Sequence, residues 1–289
     1  MNYERFALNR IIAPTLDFEE FIAFTSDTGI RKVELRNDIP GKGIIDSLPP
    51  ARAREILGKH GVEVLTINAL QRFDVESLLE SNIDELKEMI HIARQIGCRA
   101  IVMCPDNEGN NRYNNDAGRF ITSLKKYAPF LEEAEMQGFI EPLGFNTSSL
   151  RSILEAQEIL KGTVADTYRI VLDTFHFFLG KDSVIEMQKQ YEINKIGIVH
   201  VSGVRKSHDS KSNGSSGSES RITYSDEDRI LPRSDDLLRT REQLDLLFTL
   251  GYKGDISFEP FSSSIHRMPK EELKEEIRQS IEYISEKSP

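Results

Sequence analysis

The stretch that decides the fold is IVLDTFHFFLG, residues 170–180. Three apolar residues run into Asp173, and His176 follows three places later among phenylalanines. A carboxylate closing a buried run is costly unless something compensates its charge. The same arrangement recurs through the second half of the chain. FIEPL (139–143) carries Glu141, IGIVHV (196–201) carries His200 and DISFEP (255–260) carries Glu259.

RIVLD (169–173) is thus one of a series of short apolar runs. The others in the first half are FALNRII (6–12), KVELR (32–36), VEVLTIN (62–68) and RAIVMC (99–104). Amphipathic helical patterns fill the intervals, at 17–29, 49–61, 82–97, 117–138, 147–162, 183–191, 236–251 and 269–287. Gly29, Gly61, Gly97, Gly138 and Gly251 end several of them, as left-handed C-caps would. Pro49, Pro50 and Pro269 stand near helix starts, where a missing N–H is harmless.

Strands apolar on both faces, alternating with helices, predict an α/β fold with a closed parallel (β/α)8 TIM barrel. An open doubly wound sheet alternates similarly. It usually carries a Gly-rich phosphate loop after its first strand, and NRIIAPTL (9–16) is nothing of that kind. The whole chain, 1–289, reads as a single barrel domain. One segment breaks the rhythm: KSHDSKSNGSSGSES (206–220) is a Ser/Gly-rich insertion after the seventh strand. Its composition reads as flexible, and a substrate lid and a passive linker both remain open.

Composition narrows the partners. The 289 residues carry a formal charge of −10 with 29% charged side chains, so a soluble globular protein is expected and no nucleic acid partner. Small anionic substrates held by a few arginines are not excluded. Cys98 and Cys104 lie in or beside an apolar run without metal-finger spacing and read as reduced core thiols. The start, MNYERFALNRII, lacks a signal-like apolar block, and no window reaches membrane-spanning length. No membrane partner and a cytoplasmic location are expected. A homodimer is left open.

The four strand ends carry the chemistry. The chain holds 47 Asp and Glu and 6 His, so four such ends by chance come on the order of one in a thousand. Taken singly, a strand-end carboxylate is a loop cap or ion-pair partner, and a lone histidine is a core residue. Taken together, Glu141, Asp173, His200 and Glu259 can converge, since neighbouring strands lie about 4.8 Å apart. Three carboxylates and one imidazole suit one divalent metal ion, Mn²⁺, Zn²⁺ or Mg²⁺. His176 reads as an acid/base or substrate hydrogen-bond donor, with passive stacking on Phe175, Phe177 and Phe178 as the alternative. Asn68, Glu34, Arg36 and Arg229 are the other candidate substrate contacts. For Glu34 and Arg36 a simple mutual ion pair is equally open.

LTINAL (65–70), FIEPLG (139–144), VLDTFHF (171–177), IVHV (198–201), SDEDRILP (225–232) and ISFEPF (256–261) resemble the xylose-isomerase-like barrel superfamily of sugar isomerases and epimerases. Within it the nearest branch is inosose isomerase, which converts 2-keto-myo-inositol in inositol catabolism. The resemblance implies metal ligation by Glu141, Asp173, His200 and Glu259, and substrate contact by His176 and Arg229. Two places depart from the pattern and bear on the substrate more than the metal. Gly203 follows the strand-seven histidine where many relatives have Asp, and RILPRSDD lacks their Pro-Gly-x-Gly turn.

The expected function is a metal-dependent isomerase or epimerase of a ketose or keto-cyclitol. It would work by α-proton abstraction through a metal-stabilised enediolate, with Glu141 and Glu259 as the proton-transferring pair and His176 as the alternative carrier. A dehydroshikimate-type lyase on the same barrel, a nuclease of the abasic-DNA branch, and a sugar-binding barrel without catalysis are the rivals.

Overall fold

The computed structural model describes residues 3–109, 117–164, 166–180, 182–205 and 224–285. The Ser/Gly-rich segment 206–220 lies outside them. Among the described residues, eight strands close into a barrel. They are β1 (Phe6–Asn9), β2 (Lys32–Arg36), β3 (Glu63–Leu70), β4 (Ala100–Met103), β5 (Gln137–Ile140), β6 (Tyr168–Asp173), β7 (Ile196–Val201) and β8 (Asp255–Phe258). Each pairs in parallel with the next, and β8 returns to β1 through Phe6–Ile256 and Leu8–Phe258.

The connecting helices are α1 (Phe18–Asp27), α2 (Pro50–His60), α3 (Leu79–Ile96), α4 (Ala117–Glu133), α5 (Ile153–Lys161), α6 (Thr174–Leu179), α7 (Val184–Gln190), α8 (Thr240–Thr249), α9 (Ser263–His266) and α10 (Lys270–Ser285). α1 starts on a reciprocal cap, in which Asp17 accepts from Glu20 N and the Glu20 carboxylate accepts from Asp17 N. Its Phe18, Phe21 and Ile22 then press on the barrel wall. α2 and α3 stop at Gly61 (φ 62°) and Gly97 (φ 80°), left-handed positions that glycine takes without a Cβ penalty.

Gly138 does something different from the predicted cap. α4 ends earlier, at Glu133, and Glu135 supplies the left-handed turn at φ 54°. Gly138 lies inside β5, where a Cβ would sit 2.8 Å from Met103 Sδ and from the Tyr168 ring. Close packing of β5 against its neighbours requires glycine there. β1 is also shorter than predicted. Asn9 turns the chain by accepting from Ile11 N, and residues 10–12 form a 3₁₀ turn. Buried Arg10 then reaches both oxygens of Asp46 at 2.8 and 2.9 Å, beside a short strand outside the barrel, Ile44–Ser47, that hydropathy did not signal.

Inside the strands, Ala69, Val102, Val171 and Ile198 form an apolar cluster with Cys104 and Leu143. Val171 and Ile198 precede Asp173 and His200 by two residues and therefore share their face of the sheet. The polar site rests on this apolar floor. No helix among the described residues is long and apolar enough to cross a membrane.

Candidate metal centre

Strand register brings the four predicted ligands to one end of the barrel. Asp173 and His200 are direct Cα partners across β6 and β7. Glu141 and Glu259 stand one residue beyond β5 and β8, still held in the ladder by Glu141 N to Met103 O (3.0 Å) and Glu259 N to Val201 O (2.9 Å). Each of the four offers one ligand atom, those atoms lie within 4.8 Å of one another, and all four residues are buried.

Asp173 divides its two oxygens. Oδ1 accepts from Phe175 N at 2.7 Å and His176 N at 3.1 Å, capping α6, which leaves Oδ2 toward the other donors. LDTF is therefore both a helix start and a ligand position. The cationic partner of Asp173 is Arg229, whose Nη2 lies 2.5 Å from Oδ2 and 2.9 Å from Glu259 Oε2.

His200 is enclosed by carboxylates. Its Nδ1 lies 3.0 Å from Glu141 Oε1 and 3.2 Å from Glu259 Oε2, and its Nε2 lies 3.1 Å from Glu34 Oε2. Burial alone would lower its pKa, but Glu34, Glu259 and Glu141 together raise it well above the ordinary value. Burial would likewise raise Glu259, yet His200, Arg229 and Arg36 hold it well below the usual carboxylate range. Arg36 Nη1 reaches Glu259 Oε1 at 2.8 Å, where Asn9 Nδ2 also donates at 3.0 Å. Burial keeps Asp173 above the ordinary carboxylate value despite Arg229.

The donor set fits a divalent cation on charge as well as on geometry. Glu34, Glu141, Asp173 and Glu259 are buried with two guanidiniums, Arg36 and Arg229. A cation at His200 Nδ1 would displace its proton, and with Arg36 also shared with Asp38 at least two negative charges would then stay uncompensated in a poorly solvated place, which a doubly charged ion balances.

The other predicted residues fall around this centre. Glu34 and Arg36 do not pair with each other. Glu34 bonds His200, Thr66 Oγ1 (2.6 Å) and, at 3.4 Å, Asn9, whereas Arg36 bonds Glu259 and both oxygens of Asp38. Asn68 Nδ2 lies 3.5 Å from Glu259 Oε1. Arg229 packs its guanidinium against Phe261 (4.6 Å) and Phe175 (5.0 Å), and its Nε meets Ser202 Oγ at 3.3 Å. The bridge between Gly203 and Ile230 anchors the chain next to it.

His176 sits edge-on to Phe145 (5.1 Å) and Phe175 (5.5 Å). Burial, helped by the Arg229 charge, pushes its pKa down to about 4, so the ring is neutral. Its Nδ1 is buried with no hydrogen-bond partner among the described residues. Passive ring stacking and an unspent polar atom thus coexist in one side chain.

Several participants escaped the sequence reading. Asn9, Thr66, Phe145 and Phe261 all touch the site, and Cys104 Sγ lies 3.6 Å from Glu141 Oε2. Asn9, Glu34 and Thr66 are Cα partners in a row across β1, β2 and β3. Reading the strand ends of the first half as closely as those of the second would have exposed Asn9.

Comparison with known proteins adds a family and relatives. A family model described as the xylose isomerase-like TIM barrel matches residues 22–287. A xylose isomerase domain containing protein from Salmonella typhimurium LT2 has a similar structure. The two chains share 32% identity at a TM-score of 0.86, over 99% of this chain and 100% of that one. The IolI protein, solved with a zinc atom, is similar at 20% identity and a TM-score of 0.83, over 97% of this chain and 98% of its own. D-psicose 3-epimerase from Clostridium cellulolyticum H10, solved with D-tagatose, is similar at 14% identity and a TM-score of 0.71, over 97% and 99%. No curated protein matches the chain in sequence.

Proposed function

The chain belongs to the xylose isomerase-like TIM barrel family, and from that premise we propose that it is a divalent-metal-dependent isomerase or epimerase of a ketose or keto-cyclitol, an inosose first among them. The observation that carries this reading is the convergence of Glu141, Asp173, His200 and Glu259 within 4.8 Å at one barrel end. A divalent ion held by these four would polarise a substrate carbonyl and the adjacent hydroxyl oxygen.

Glu259 is assigned the removal of the proton on the carbon next to the carbonyl. His200 and the two guanidiniums keep it ionised, as a base must be; they also lower its proton affinity, which acidification of the substrate proton by a bound cation would offset. Glu141, which approaches the same His200 nitrogen as Glu259, is assigned the return of a proton. Return to the same carbon from the opposite face epimerises the substrate, and return to the neighbouring carbon isomerises it. Neutral His176 keeps one ring N–H as donor and one nitrogen as acceptor for a substrate oxygen. Arg229, packed against Phe175 and Phe261, is assigned to hold a second oxygen in register. Asn68 and Arg36 support this from Glu259, whose Oε1 they approach.

Solvent exchange tests the reading. Protein loaded with zinc or manganese and incubated in D₂O with inososes and ketoses is expected to place deuterium next to the carbonyl, with chelator abolishing the exchange. Glu259→Gln is expected to stay folded and to lose it; near-normal exchange in that variant would overturn the assignment. A product with new ultraviolet-absorbing conjugation would identify a lyase instead.

A further inference from the structure

Glu34 carries a charge in the least accessible part of the site. Its surface is fully buried, and it faces Asn9 and Thr66 as their Cα partner in the row across β1 to β3. Oε2 accepts from Thr66 Oγ1 at 2.6 Å and lies 3.1 Å from His200 Nε2, while Oε1 lies 3.4 Å from Asn9 Nδ2. Both oxygens are engaged and neither is exposed, so a direct contact with substrate is a poor use of this residue.

The other end of the His200 ring explains what Glu34 does. A neutral imidazole has two tautomers. With the proton on Nδ1, the ring would aim an N–H between Glu141 Oε1 and Glu259 Oε2, 3.0 and 3.2 Å away, where the other donors converge. With the proton on Nε2, the ring donates to Glu34 and turns a lone pair into that space. Carboxylates flank both nitrogens and by themselves favour a doubly protonated ring; a cation among Glu141, Asp173 and Glu259 would take the place of the Nδ1 proton, and Glu34, which only accepts, would hold the remaining proton on Nε2.

We propose that Glu34 is the positioning residue of the centre, fixing the tautomer and plane of His200 so that Nδ1 faces Glu141, Asp173 and Glu259. The inference rests on the metal reading above. Asn9 extends the device, because its Nδ2 bonds Glu259 Oε1 at 3.0 Å as well as approaching Glu34. Outer carboxylates of this kind orient metal-bound histidines and raise their basicity, and losing one typically weakens metal binding by about 10–100-fold.

Histidine ring ¹⁵N spectra and zinc titrations test this together, with His200→Ala used to assign the ring signals. In the zinc-loaded wild type, His200 is expected to carry its proton on Nε2, shifted downfield by the carboxylate, with zinc on Nδ1. Glu34→Ala, checked for folding by circular dichroism, should lose the downfield shift and bind zinc about 10–100-fold more weakly. Glu34→Gln keeps an oxygen acceptor and should recover most of that loss, whereas Glu34→Met, which fills the space without that acceptor, should not. Zinc on Nε2, or unchanged zinc affinity in a folded Glu34→Ala, overturns the proposal while leaving the metal centre standing. A wild type that takes up no zinc overturns both. If Glu34→Ala does not fold, the wild-type spectrum decides: a proton on Nε2 with zinc on Nδ1 supports the proposal, and the reverse overturns it.

Discussion

Arg229 Nη2 lies 2.5 Å from Asp173 Oδ2, and the same nitrogen reaches the carboxylate of Glu259. One guanidinium therefore ties together ligand positions at the ends of β6 and β8. Removing one partner of such a buried group leaves charge without compensation, at a cost of about 3–5 kcal/mol. Arg229→Ala should lower the unfolding free energy of the metal-free protein by that order. Zinc should restore part of the loss, because a cation can take over the orphaned carboxylates. Calorimetry with and without zinc checks both statements, and equal losses under the two conditions would contradict them.

Asp173 does two jobs with two atoms, and two substitutions separate them. Asparagine keeps an oxygen for the α6 cap and gives up the charge; alanine gives up both. Asp173→Asn and Asp173→Ala should bind zinc equally poorly. In urea the Asn variant should be the more stable by about 0.5–2 kcal/mol, the usual worth of an N-cap.

Gly203 stands in a crowded place. A Cβ there would lie 2.7 Å from Pro232 Cα, 3.1 Å from Pro232 N and 3.2 Å from Asp236 Oδ1. Backbone at that distance cannot swing aside. Gly203→Ala should cost about 1–3 kcal/mol in urea unfolding, as overpacked sites do. It should also slow solvent exchange into substrate, since the substitution would displace the bridge partner Ile230, which adjoins Arg229.

Cys98 makes alkaline pH a probe of the barrel wall. Burial pushes its thiol up to about 12 from an ordinary 9.0. The folded protein thus holds a proton that the unfolded chain releases, so the stability this supplies is complete below pH 9.0 and is lost as pH rises toward about 12. Between pH 9 and 10 the wild type should lose about 1 kcal/mol more than Cys98→Ala, read from urea midpoints. At pH 8 the folded chain should leave Cys98 unreactive toward a thiol reagent that modifies it in denaturant.

Much of the fold is legible in the apolar runs. IGIVHV is a strand from end to end, because parallel strands covered on both faces announce themselves as near-continuous apolar stretches, and KVELR is one by the alternation of Val33 and Leu35 with charged residues. What the runs do not encode is the cross-strand neighbour. Gly138 looks like a helix terminator until Met103 and Tyr168 are seen against it, and Asn9 looks like a strand continuing until its side chain accepts from Ile11 N. The site divides the same way. Side chains at strand ends can be picked from one dimension, as Glu141, Asp173, His200 and Glu259 were. The partners of Glu34 and Arg36 depend on which residues the closed barrel sets opposite them, and no spacing along the chain records that.

The row of Asn9, Glu34 and Thr66 belongs to the first three strands, and the residues it steadies belong to the last four. A chimera that joined the front half of this chain to the back half of a relative would keep its hydrogen-bonded wall and still part His200 from its anchor. The halves are thus welded through the lumen as well as around the circumference.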